Sequence, residues 1–239
     1  MIGNGVNHLM NSRALKVGMA LSTKLNILRA GVLGANDGII SVAGVILGMA
    51  GASQGKYYLV LAGLAGMFAG AFSMAGGEYV SVSAQRDTQK SIIHSAEKKL
   101  KDNREFEIER LINIYQAKGF SRMVATDVVN ELMSQNELEN YCKEVNNIDV
   151  GEYLNPWHAA MSSMTSFVVG SLVPLLLIAI LPAEFMIPLT VIGVALALLL
   201  TGAVSGILGR NNIRHAMVRN VFVGLVTMAV TYYIGGLFG

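Results

Sequence analysis

Apolar residues fill five long stretches of the chain, about 29 to 51, 57 to 84, 158 to 181, 186 to 208 and 215 to 237, with very few charges inside them. An apolar helix needs about 20 residues to cross a hydrocarbon core of about 30 Å, so each stretch is long enough to span a bilayer. The first is too long and too glycine-rich for a signal-peptide core and lacks a small-residue cleavage pattern, so it reads as mature structure. Between the second and third stretches the pattern changes to short amphipathic repeats. Ile108, Leu111, Ile112 and Tyr115 recur at i, i+3, i+4 and i+7 before Gly119, which predicts a helix over 105–118. Ser121 is placed to cap the next, whose stripe is Val124, Val128 and Leu132, and Leu138, Tyr141, Cys142 and Val145 repeat the spacing in a third. Asn155 and Pro156 end this bundle and Trp157 marks a return to the membrane interface.

The predicted architecture is an all-α integral membrane protein: five transmembrane helices with a small cytoplasmic helical bundle between the second and third. Its segments are a cytoplasmic N-terminal stretch (1–28), two transmembrane helices (29–87), the cytoplasmic helical domain (88–156) and three further transmembrane helices (157–239). Composition agrees, since 53% of residues are hydrophobic and 14% charged, against roughly 25% charged in soluble domains.

Charge adds a direction. Arg13, Lys16, Lys24 and Arg29 precede the first span, ten Lys and Arg lie between Arg86 and Lys143, and Arg210, Arg214 and Arg219 flank the fourth connection, leaving Lys56 alone on the other side. The positive-inside rule then places the N-terminus and the 88–156 bundle in the cytoplasm and the C-terminus opposite. The overall net charge of +2 gives no indication of a nucleic-acid partner. A single cysteine, Cys142, excludes an intrachain disulfide, and its place on an apolar stripe suits core packing. The four histidines, His8, His94, His158 and His215, show no zinc-type spacing, and no GxxxxGK[ST] loop is present to couple transport to ATP.

Ionisable groups at membrane depth are expensive and functional by default. Two stand out, Asp37 and Glu78. Asp37 lies about 12 Å along the first helix from Arg29, and Glu78 lies near the cytoplasmic end of the second, so the two can meet at similar depth. Gly66, Gly70, Met74 and Glu78 form one i+4 stripe, while Gly31, Gly34, Gly38, Gly44 and Gly48 let the first helix approach its neighbours closely. Two carboxylates with a thioether suit a borderline transition metal better than magnesium or calcium. Neighbouring carboxylates in a low-dielectric site repel one another, and either a proton or a dication relieves that repulsion, so the two ions exchange.

The strings GVLGANDGIISVAGVILGMAGA, MFAGAFSMAGGEYVSVSAQRDTQK, NPWHAAMSSMTSFVVGSLVPLL and TYYIGGLFG together resemble the vacuolar iron transporter family, which includes nodulin-like membrane proteins of plants. The likeness runs from about Arg29 to the C-terminus. It implies a five-helix homodimer in the lipid bilayer, with a cytoplasmic metal-binding bundle, that exports iron(II) or manganese(II) from the cytosol in exchange for protons. The metal is then a transported substrate, and no permanent cofactor is implied. The translocation ligands of the family fall on Asp37, Met74 and Glu78. In the bundle, the pattern expects glutamates nine and twelve residues after Asp87 and a pair three apart on the next helix, where this chain has Ala96, Lys99, Glu107 and Arg110. Glu97, Glu107, Glu131, Met133 and Glu137, with Glu105 and Glu109 beside them, could form a rearranged metal site, or simply an acidic solvated face.

The first expectation is therefore a divalent-metal and proton antiporter rather than an enzyme, in the cell membrane of a prokaryote or the vacuolar membrane of a eukaryote. The alternatives are a non-transporting membrane scaffold or metal sensor, and a membrane-tethered ferroxidase. The last lacks the Glu-x-x-His motifs of ferritin-like di-iron sites.

Overall fold

The computed structural model describes residue 28 and residues 30–151, 153 and 155–239. The basic residues Arg13, Lys16, Lys24 and Arg29, His8 and nearly all of the N-terminal segment lie outside them. Eight helices follow one another, and no strand occurs among the described residues: α1 (Ala30–Gly51), α2 (Lys56–Asp102), α3 (Arg104–Ala117), α4 (Arg122–Gln135), α5 (Glu137–Asn146), α6 (Pro156–Ile180), α7 (Met186–Leu208) and α8 (Ile213–Phe238). Five of them, α1, α2, α6, α7 and α8, are long and apolar enough to cross a membrane.

The second span stops being apolar near residue 84, yet its helix continues to Asp102. Nothing between Ala84 and Asp102 breaks a helix: the stretch has no glycine or proline and is rich in Ala, Gln, Lys and Glu. Hydropathy reports the surrounding solvent, and backbone propensity carries the helix beyond it.

The chain divides into two compact units, one formed by the described residues up to Val80 together with Pro156–Gly239, the other by Ser81–Asn155. In the first unit α1 is the central helix. The share of its most apolar stretch that is buried is 44%, against 11% for α8, although Leu33, Ser41 and Val45 remain exposed. Gly34 and Gly38 leave no room for a side chain against the α6 backbone at Ser163 and Phe167, Gly48 sits against Thr231 of α8, and Gly63 of α2 packs on Ile46. Small residues thus let backbones meet where lipid offers no hydrophobic drive to hold helices together. Ile39, Val42, Ala43, Ile46, Phe167, Val194, Leu198 and Met228 fill the interior. Leu64, Phe68, Phe72, Leu176, Leu200 and Phe222 point outward. Exposure of so many large apolar side chains is costly in water and neutral in lipid.

The second unit is a small bundle around Ala96, Leu100, Leu111, Ile112, Ala125, Val129, Met133, Tyr141 and Cys142. The predicted stripes of α3 and α5 are the ones buried, whereas α4 buries Ala125, Val129 and Met133, one position on from the predicted Val124, Val128 and Leu132, because both i+4 rows are apolar and packing chooses between them. Ser121 caps α4 by accepting a hydrogen bond from the Val124 amide at 3.4 Å, and Gly119 takes a positive φ of 99° in the turn before it. Asn147 closes α5 in the left-handed conformation, and Pro156 opens α6 where its missing N–H costs nothing.

Candidate functional site

Asp37 stands on α1 and is half-buried, with the Ser41 hydroxyl one turn on donating to its Oδ1 at 2.8 Å. Glu78 is also half-buried, and its neighbour Tyr79 packs against Trp157 at the start of α6, ring centroids 4.8 Å apart. Met74 packs on the apolar interior of the first unit.

The contact between α1 and α2 sets how these residues stand to one another. A Cβ at Gly66 would lie 3.5 Å from Val45 Cγ2, and one at Gly63 would lie 3.0 Å from Ile46 Cδ1. Val45 is the third member of the i+4 stripe Asp37, Ser41, Val45, and Gly66 heads the stripe Gly66, Gly70, Met74, Glu78. The stripes meet at Gly66, but one turn on a Cβ at Gly70 would meet the Phe167 ring of α6, so the stripe turns from α1 toward α6 on its way to Met74 and Glu78. Carried down the antiparallel pair, that register sets Asp37 beside about residue 73, with Glu78 roughly one turn, or about 7 Å, further along α2. Helical side chains lean toward their own N-terminus, so Asp37 leans toward the level of Glu78 and Glu78 leans back toward Met74. The offset is larger than equal depth, and the lean of the two side chains reduces it.

Sequence reasoning did not single out a second polar cluster on the other side of α1. Asn36 Oδ1 accepts hydrogen bonds from Thr201 Oγ1 of α7 at 3.2 Å and from Asn220 Nδ2 of α8 at 3.0 Å. The available signal was an amide directly beside the intramembrane Asp37, but its partners lie 165 and 184 residues away. Ser171 of α6 donates to the Phe167 carbonyl at 2.7 Å and to the Gly38 carbonyl at 3.3 Å, fixing the backbone next to Asp37.

Five of the acidic residues of the second unit that the sequence offered as metal ligands have separate partners. Glu97 pairs with Lys101 at 2.7 Å, Glu137 with Arg104 at 2.6 Å and Glu109 with Arg122 at 2.8 Å, while Glu131 accepts from Gln135 at 2.9 Å. Met133 is in the core. Glu107 is 5% exposed, receives the Tyr141 hydroxyl and lies 3.5 Å from Arg110. Burial and that hydrogen bond push the Tyr141 phenol up to about 12, and burial pushes the Cys142 thiol up. Among the described residues no three of His, Cys, Asp and Glu gather closely enough to hold a metal ion, and His94, His158 and His215 are exposed. Ala96, Lys99 and Arg110 all line one cavity of about 190 Å³.

Five membrane-length helices, packed through glycines and carrying two half-buried carboxylates, define a polytopic α-helical membrane protein. A profile of the VIT family matches residues 28–236. A protein named vacuolar iron transporter from Acanthamoeba castellanii is 38% identical over 211 residues, covering 88% of this chain and 78% of its own. Vacuolar iron transporter homolog 1 of Oryza sativa subsp. japonica is 33% identical, over 89% of this chain and 74% of its own, and homolog 2.1 of Arabidopsis thaliana is 28% identical, over 95% and 88%. The chain belongs to the VIT family, a family of transporters and not of enzymes.

Proposed function

We propose that the chain carries a divalent transition-metal ion, iron(II) first and manganese(II) second, out of the cytosol in exchange for protons. The observation behind this reading is the contact of Val45 with Gly66, which brings the helix bearing Asp37 against the helix bearing Met74 and Glu78. Two carboxylates supply the charge that a dehydrating cation needs, and a thioether favours softer metals over magnesium and calcium. Ser41 holds one oxygen of Asp37 and so orients the other. When the cation leaves, the repelling carboxylates take up protons, and that exchange is the coupling step. The names of the relatives support iron as the substrate.

The charge asymmetry supports a cytoplasmic Ser81–Asn155 unit and an outward C-terminus. Gly76 and Gly77 of α2, with open space where a Cβ would stand, support a homodimer that buries this face. Metal flux into proteoliposomes under an imposed pH gradient tests the proposal. Entry of iron(II) that alkalinises the lumen in step with metal movement, as protons leave in exchange, is the expected outcome. Binding without flux would instead make the chain a membrane scaffold or sensor.

A further inference from the structure

The cavity in the second unit is walled by three helices. Ser91, Ile92, Ser95, Ala96 and Lys99 come from α2, Arg110 from α3, and Tyr141, Val145 and Asn146 from α5. Ser91, Ser95 and Lys99 stand at i, i+4 and i+8, so two hydroxyls and an ammonium form one row along α2. Lys99 is exposed and has no ion pair among the described residues. Opposite stands Arg110, whose one carboxylate partner, Glu107, is 3.5 Å away, buried, and itself receives the Tyr141 hydroxyl. Asn146 adds an amide. No carboxylate lines the cavity.

The donors are thus an ammonium, a guanidinium with N–H groups left over from a long ion pair, two hydroxyls and a carboxamide. That set repels a metal cation and suits a compact anion with several acceptor oxygens. We infer that this cavity is an anion site for a phosphate group, with Lys99 and Arg110 as charge partners and Ser91, Ser95 and Asn146 as neutral donors. The cavity of about 190 Å³ has room for a phosphate group. A free phosphate monoester and a phosphorylated lipid headgroup share this chemistry.

The test is calorimetric titration of inorganic phosphate into the purified, metal-free full-length protein in detergent. Saturable binding at one site per chain is expected, weakened at least about tenfold by Lys99→Glu and by a smaller factor of roughly two to ten by Ser95→Ala. Lys99 is exposed, so Lys99→Glu preserves the fold, which circular dichroism confirms. Arg110 is left unchanged because its removal would strand buried Glu107. A second arm uses the protein in phosphatidylcholine nanodiscs with and without a phosphoinositide. Displacement of bound phosphate by the phosphoinositide, or binding of that lipid alone with the same loss in Lys99→Glu, assigns the headgroup as occupant. No saturable binding of either ligand, or binding that Lys99→Glu leaves unchanged, overturns the inference.

Discussion

Val45 of α1 stands 3.5 Å from the position a Cβ would take at Gly66 of α2, which is ordinary van der Waals distance, whereas a Cβ at Gly38 would overlap the carbonyl oxygen of Phe167. The two glycines therefore differ in what they tolerate. Gly66→Ala should fold with little change, within about 0.5 kcal/mol, since the added methyl finds space and alanine is the better helix former. Gly38→Ala should lose about 1–3 kcal/mol by forcing α1 away from α6. Thermal unfolding in detergent compares them, and equal midpoints would show that α1 and α6 are not held in backbone contact.

Asp37→Asn and Glu78→Gln keep shape and lose charge. Each should lower metal flux on the order of a hundredfold, about 2.7 kcal/mol of barrier, with folding intact. Met74→Leu keeps volume and loses only sulfur, so preference among iron(II), manganese(II), cobalt(II) and zinc(II) should change before total flux does. Flux in proteoliposomes measures all three variants, and wild-type transport with unchanged proton coupling in either carboxylate variant removes that residue from the site.

Tyr141 should be the last tyrosine of the bundle to ionise. Its folded-state value of about 12 exceeds the ordinary 10, so the stabilisation it provides is complete below pH 10 and is lost as pH rises toward 12. Tyr141→Phe leaves Glu107 with only its long pairing to Arg110 and should cost the bundle about 1–3 kcal/mol. Tyrosinate absorbance and far-ultraviolet circular dichroism during alkaline titration follow both effects. Unfolding that begins at the same pH in wild type and Tyr141→Phe would show that Tyr141 is not the group responsible.

A reporter fused after Gly239 should lie outside the cytosol and one inserted at Asn103 inside it. Accessibility labelling in intact cells reads both. Placement on the same side would mean an even number of spans, contrary to the charge asymmetry.

The five spans, the stripes of α3 and α5 and the Ser121 cap were legible because each is written in local spacing, whereas α4 carries two adjacent apolar i+4 rows and spacing alone did not choose the buried one, Ala125, Val129 and Met133. Asp37 and Glu78 stood out because charge is conspicuous among apolar residues. Other features depended on partners distant in sequence. Nothing near Glu107 announces that it is buried beneath Tyr141, and nothing near Asn36 points to Thr201 and Asn220. The row of Ser91, Ser95 and Lys99 is visible as spacing, but only the fold brings Arg110 and Asn146 across from it. The continuation of α2 from about residue 84 to Asp102 was not legible from hydropathy, which marks where the apolar stretch ends and not where the helix does.

The position of α1 bears on how the two halves of the site could separate. Asn36 ties it to α7 and α8, Gly38 seats it on α6, and Val45 and Ile46 meet α2. Sliding α1 by one turn would break all of these at once, including backbone contacts that only glycine permits. A span held by four neighbours at once resists such a slide. On the proposed reading Asp37 stands on the most constrained of the spans, so access of an ion to it first from one face and then from the other has to come from displacement of the helices around α1.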